Sequence, residues 1–158
     1  MPIFSLPGPF GIGVFGEEAY NFIDRISEMG FRLWQLLPFT IVGEGNSPYS
    51  SISAFAGNYL FIDPRQLQAE GLLTDEEVQE CVYPGSPYTA DYSFAREKRL
   101  SVLRKAFARL DKASLQKIEM FSKEQSWLSD FALFMFLQKK YKGISWREWA
   151  EETKREPA

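Results

Sequence analysis

Apolar spacing changes several times along this chain, and each change marks a predicted element. Residues 5–16 carry two prolines and four glycines, a density that excludes regular structure and predicts a loop whose backbone closely approaches a neighbour or ligand. Behind Glu17 and Glu18, the residues Ala19, Phe22, Ile23, Ile26 and Met29 recur at helical spacing, and Gly30 follows. That pattern predicts an amphipathic helix over 17–29. Phe31 to Phe39 is apolar on both faces except at Arg32 and Gln35, the pattern of a buried parallel strand. A loop, a helix and a buried strand in that order form a βα unit feeding a further strand, and such folds collect ligands beyond the strand's carboxyl end. The stretch 46–58 lies there, without helical or strand period and rich in hydroxyls and rings, so it is the candidate ligand loop.

Further along, Tyr59 to Ile62 reads as a short strand, with Asp63 and Pro64 as N-cap and first position of a helical turn. Thr74 and Glu77 have capping-box spacing and open a short helix to about Val82. Tyr83 to Tyr88 is a turn-rich connector. Phe94, Leu100, Leu103, Phe107 and Leu110 predict a helix over 91–110, and 114–121 continues in helical composition. Trp127, Phe131, Phe134, Met135 and Leu137 predict another over 123–141, closed by Gly143, and Ser145 with Glu148 starts a last helix running to the end.

Composition narrows the function. With 45% hydrophobic and 16% aromatic residues in 158, the chain can bury one core. Eighteen Lys and Arg against 21 Asp and Glu give a net charge of -3 with no like-charge block, which argues against nucleic acid or an anionic membrane as partner. Cys81 is the only cysteine, so no internal disulfide forms. With neither a leader nor an apolar run of about 18 residues, the expected location is cytoplasmic. Histidine is absent, so chemistry must rest on carboxylates, hydroxyls, lysines or arginines.

Gly11, Gly13 and Gly16 have the GxGxxG spacing of a nucleotide loop but lack the strand before it and the acidic residue after it. Among Asp24, Glu44, Asp63, Asp91 and Asp130, no two share a loop as a glycosidic carboxyl pair would. Asp63 and Asp91 read as caps, and Asp24 and Asp130 as solvated helix positions. No catalytic residue and no metal ligand set is therefore assigned within the chain. Ser47 and Ser50 to Ser53 have no base nearby and suit turn formation. Tyr49, stiffened by Pro48, could stack on a sugar or pack in the loop, and the chemistry leaves both open. Trp127, Phe131 and Phe134 fit a core stripe better than a sugar platform, and Trp146 and Trp149 fit packing.

Several blocks together resemble a known family. Ser5-Leu-Pro-Gly-Pro-Phe-Gly-Ile-Gly13, Arg32-Leu-Trp-Gln-Leu-Leu-Pro38, Gly45-Asn-Ser-Pro-Tyr49, Ser53-Ala-Phe-Ala-Gly-Asn58 and Ile62-Asp63 are similar to the N-terminal part of the amylomaltases, or 4-alpha-glucanotransferases. Asp91-Tyr92, Trp127 to Met135 and Trp146 to Trp149 match in the same order. The resemblance implies an α/β fold, the N-terminal part of a glycosidase-type (β/α)8 barrel, or TIM barrel, with a mostly helical inserted subdomain. Residues 1–62 would supply the first βα segments with substrate loop 40–58, and 63–158 the inserted subdomain. The implied activity moves α-1,4-glucan segments between maltodextrins and glucose with retention of configuration, in the cytoplasm and without metal or organic cofactor.

By matching position, Asn46, Ser47 and Tyr49 line the donor side of the cleft, Asn46 standing where the family commonly has Asp. Leu6 to Gly13 would form a loop near the barrel mouth. The family's nucleophile Asp, acid/base Glu and stabilising Asp lie on later strands, past Ala158, so the chain alone is expected to be inactive. Of the first strand that precedes Ser-Leu-Pro-Gly in the family, only Met1 to Phe4 is present. Some relatives carry Tyr at the position of Glu44 and an aromatic at that of Arg96. The alternative is a non-catalytic fragment that binds maltodextrin or a partner. An incomplete barrel with apolar edges around 33–37 is also expected to self-associate.

Overall fold

A computed structural model describes residues 1–150. The regular elements are α1 (Glu17–Glu28), α2 (Pro64–Ala69), α3 (Asp75–Gln79), α4 (Tyr92–Ala108), α5 (Lys112–Glu124) and α6 (Leu128–Lys140), with 3-10 turns at Ile3–Ser5, Glu44–Asn46, Tyr59–Phe61 and Trp146–Glu148. Packing divides the chain into one unit over Met1–Ser114 and a second beginning at Leu115.

Most predicted helix starts form as their chemistry requires. The Asp63 carboxylate accepts from the Arg65 backbone N–H at 2.8 Å, with Pro64 in the first turn of α2 where a missing N–H does no harm. Thr74 and Glu77 make the reciprocal box, the Glu77 N–H donating to Thr74 Oγ1 at 3.3 Å and the Thr74 N–H to Glu77 Oε2 at 3.0 Å. Asp91 caps α4 by accepting from the Phe94 N–H at 2.9 Å. Gly143, at a φ of 81°, closes α6 by donating to the Gln138 carbonyl. Ser145 accepts from the Arg147 N–H, but only a 3-10 turn follows and Trp149 is already extended, so the predicted helix stops there; its 151–158 part lies outside the described residues.

Both predicted strands are corrected. Residues 31–39 have no regular secondary structure and belong to no sheet, and Leu33 is 90% exposed where a buried strand was expected. A strand needs a backbone ladder, and among the described residues 32–38 make no backbone–backbone hydrogen bond. Residues 59–61 form a 3-10 turn in place of a strand, because the Asn58 side chain caps it by accepting from the Leu60 N–H at 3.1 Å. The described elements are thus helices, and the β part of the expected α/β alternation is reduced to two isolated antiparallel bridges, Thr40 to Gly57 and Val42 to Ser51.

The core of the first unit surrounds the glycine-rich segment. Ile3, Leu6, Ile12, Ala19, Leu60, Phe61 and Ala95 form one buried cluster, and Phe10, Val14, Leu73, Val78, Cys81, Val102 and Ala106 a second. Burying each larger aliphatic or aromatic side chain stabilises by about 1.5–3 kcal/mol. The segment 5–16 therefore threads the interior, and its glycines permit that. A Cβ on Gly13 would stand 2.0 Å from the Ile3 carbonyl oxygen, and one on Gly16 would stand 1.8 Å from the Asp63 carboxylate.

On α4 the buried stripe is Ala95, Arg99, Val102 and Ala106, not the predicted one, and Phe107 is exposed. This face of α4 lies over the 59–61 turn and α2. In the second unit Trp149 is buried, stacked on Tyr141 at 5.5 Å and tilted against Phe134 at 5.6 Å, whereas Trp146 is exposed. Packing thus accounts for Trp149 and Phe134, and not for Trp146.

Candidate functional site

The loop over 40–58 folds back on itself. The Asn58 N–H donates to the Phe39 carbonyl at 3.0 Å, Ile41 to Ala56 at 2.9 Å, Ile52 to Ile41 at 3.3 Å and Gly43 to Ser50 at 2.9 Å. Its hydroxyls hold turns. Ser51 Oγ donates to the Ile41 carbonyl at 2.9 Å, and Ser53 Oγ accepts from the N–H groups of Phe55 and Ala56 at 3.2 and 3.1 Å. These two serines serve the backbone, as the absence of any base predicts.

At the tip, Gly45 and Asn46 both take left-handed backbone, with φ of 81° and 55°. Glycine and asparagine adopt that region at the least steric penalty. The Ser47 carbonyl accepts from the Ser50 N–H at 3.0 Å, and Ser47 Oγ accepts from the Tyr49 N–H at 3.3 Å. Pro48 and Tyr49 therefore occupy the middle of a tight turn, which leaves the Tyr49 ring 77% exposed. The structure brings Asn46, Ser47 and Tyr49 onto one short tip, with a ring presented outward from a braced backbone.

Arg96 on α4 also reaches this tip, its Nη2 donating to Asn46 Oδ1 at 2.8 Å. The guanidinium lies beside Tyr59 and Tyr92, whose phenols are pushed up by burial and pulled back in part by the Arg96 charge. Sequence reasoning assigned Arg96 no role in the loop. The two residues stand fifty apart in the chain, and no local pattern announces their contact.

Several carboxylates are committed to the scaffold. Asp63 is 1% exposed, and its oxygens take the Arg65 Nε at 3.1 Å and Nη2 at 2.7 Å. The same guanidinium reaches Glu18 on α1 at 2.6 and 3.1 Å, and these hydrogen bonds push the Arg65 pKa further up. Glu77 is held down to about 2 by hydrogen bonds from Arg109 and from the Thr74 backbone. Asp91 serves as a cap, and Asp24 is exposed on α1. A carboxyl fixed as a salt-bridged anion has no proton to give a leaving group. Among the described residues no cluster of three His, Cys, Asp or Glu side chains could hold a metal ion.

An open apolar cleft of about 460 Å³ lies apart from the loop tip, lined by Phe22, Ile26, Phe31, Leu33, Trp34 and Leu36 among others. Its walls are the residues of the expected strand and the half-buried face of α1. Its side chains are mainly apolar and lack the cluster of side-chain hydroxyl and amide groups found at the loop tip, so the loop tip is the better candidate site.

A family model described as 4-alpha-glucanotransferase matches residues 1–158. The chain belongs to the 4-alpha-glucanotransferase family. The 4-alpha-glucanotransferase of Aquifex aeolicus (strain VF5) is 45% identical over 154 residues, covering 96% of this chain and 30% of that protein. The Thermus thermophilus protein of the same name is 41% identical over 151 residues, covering 92% of this chain and 29% of its own length. Among solved structures, an amylomaltase from Streptococcus agalactiae in complex with acarbose superposes with a TM-score of 0.89 at 38% identity, over 96% of this chain and 31% of that one. This 4-alpha-glucanotransferase-family chain has a glycosidase-type fold and corresponds to the N-terminal part of its relatives, spanning less than a third of their length. No described helix is long and apolar enough to cross a membrane.

Proposed function

We propose that the chain is the N-terminal part of a cytoplasmic 4-alpha-glucanotransferase that transfers α-1,4-glucan segments between maltodextrins with retention. The observation that carries this reading is the match of nearly the whole chain, at 38% identity and a TM-score of 0.89, to an amylomaltase whose structure holds acarbose. In this reading residues 1–62 supply the first βα segments of a (β/α)8 barrel and 63–158 a mostly helical inserted subdomain. In the same reading the stretch 31–39, which forms no strand in this chain by itself, becomes a barrel strand only when the rest of the enzyme supplies its ladder partners.

The glucan is held by Asn46, Ser47 and Tyr49. Tyr49 offers a flat apolar face beside one hydroxyl, which suits a sugar ring, and Ser47 and Asn46 supply short polar groups at the same tip. Retaining transfer needs a nucleophilic carboxylate and an acid about 5–5.5 Å apart. Asp63, Glu18 and Glu77 are bound to Arg65 and Arg109 and do not form such a pair, and in this reading the 158-residue chain holds substrate while the rest of the enzyme supplies the reacting carboxylates. A second reading, a non-catalytic maltodextrin-binding module, rests on the same commitment of carboxylates to scaffold.

A chimera of residues 1–158 with the remaining part of the Aquifex aeolicus relative is expected to convert maltotriose to glucose and longer dextrins. The isolated chain is expected to do neither. A folded but inert chimera overturns the transferase reading in favour of the binding module, and turnover by the isolated chain overturns the claim of inactivity. Tyr49→Ala is expected to weaken maltoheptaose binding by more than about 1 kcal/mol with the thermal midpoint unchanged. Equal calorimetric affinities for the two proteins would remove Tyr49 from the site.

A further inference from the structure

Resting on the glucan reading of the loop tip, we propose that Arg96 is a positioning residue that fixes the backbone of 45–49 and with it the aim of Tyr49. Three observations carry this. The Arg96 guanidinium, on α4, donates from Nη2 to Asn46 Oδ1 at 2.8 Å, the one side-chain hydrogen bond that crosses from α4 to the loop tip among the described residues. Asn46 is the residue whose left-handed φ of 55°, after Gly45 at 81°, turns the chain into the Ser47–Tyr49 turn. Arg96 is itself anchored, part-buried on a helix between Tyr59 and Tyr92, and the helix stripe of Ala95 and Arg99 beside it is buried in the core.

A left-handed asparagine in an exposed loop is a sparsely populated state that neighbouring contacts must select. A hydrogen bond to a charged donor is roughly twice as strong as a neutral one, and this donor sits on a rigid element, so the bond selects one tip conformation before any sugar arrives. Pre-ordering the tip lowers the entropy lost when Tyr49 meets a ring. Arg96 would therefore raise glucan affinity without touching the glucan. An Asp at 46 would accept the same bond as an ion pair, so the geometry tolerates Asn46→Asp.

The test compares wild type with Arg96→Met, Arg96→Lys and Asn46→Gly, the last keeping the left-handed backbone while removing Oδ1. Backbone amide spectra report the tip, and calorimetry with maltoheptaose reports binding. Arg96→Met and Asn46→Gly are expected to move the amide signals of Ser47, Tyr49 and Ser50 in the same way and to raise the maltoheptaose Kd about tenfold, with non-additive effects when combined. Arg96→Lys, which keeps a charged donor, is expected to recover part of both losses.

Unchanged tip amides in Arg96→Met and in Asn46→Gly overturn the positioning role, as does full additivity. The amide readout needs no sugar, so the two claims separate. Wild-type protein with an ordered tip but no maltoheptaose binding refutes the glucan reading alone, and wild-type binding with unmoved amides in the variants refutes Arg96 alone. Should Arg96→Met fail to fold, the Asn46→Gly and Arg96→Lys pair still decides it.

Discussion

Glu77 shows how a single side chain serves two structures at once. It completes the capping box of α3 and binds Arg109 and Lys105 near the end of α4, the Arg109 Nη2 lying at 2.9 Å and the Lys105 Nζ at 3.5 Å. Its folded pKa of about 2, set first by the Arg109 hydrogen bonds and then by the Thr74 N–H, lies below the ordinary 4.5. The unfolded chain therefore binds the extra proton first as the pH drops. Its stabilising contribution is complete above the ordinary carboxylate range and is lost as pH falls from about 4.5 towards about 2. Wild type is expected to lose more thermal midpoint than Glu77→Gln between about pH 5 and pH 2.5, measured by circular dichroism. Parallel pH profiles for the two proteins would refute the linkage. The identity of the cap was readable from Thr74 and its spacing to Glu77, whereas Arg109 as partner was not, because nothing in the intervening residues encodes their approach.

Helices illustrate the same division at the next scale. Their starts are written locally: Asp63, Thr74 and Asp91 each satisfy an otherwise free N–H within three residues, so spacing alone locates α2, α3 and α4. Thr74→Ala is expected to destabilise the chain by about 1 kcal/mol in urea unfolding, the usual effect of removing a cap. A change within about 0.2 kcal/mol would mean the Arg109 bridge alone fixes α3. Which face of α4 turns inward was not legible. Its larger residues Phe107 and Leu103 suggested one stripe, yet Ala95, Val102 and Ala106 are the residues buried. Arg99 shares that face at 1% exposure, its guanidinium over the Phe10 ring at 5.4 Å, and burial draws its pKa down to about 10. The apolar stretch 31–39 had strand character by pattern, but a strand is a property of a pair of chain segments, and among the described residues no segment pairs with 32–38.

For the molecule as a whole, the consequence of that unpaired stretch is exposed apolar surface, with Phe31 and Leu33 at 61% and 90% exposure lining the open cleft and Phe39 at 48%. Such a face favours association. Sedimentation velocity of the chain at rising concentration is expected to show oligomers that Leu33→Asp reduces, and a strictly monomeric profile throughout would rule this association out. The sequence by itself determined the helix caps, the turn-forming serines and the grouping of Asn46, Ser47 and Tyr49, since each depends on neighbours within a few residues. It also carried the family, through short blocks of residues kept in order along the chain. Only the tertiary structure decided that the glycine-rich segment threads the core, that Asp63, Glu18 and Glu77 are held by arginines, and that Arg96 reaches the loop tip fifty residues away. Those contacts join residues far apart in the chain, and their geometry exists only once the intervening elements have packed.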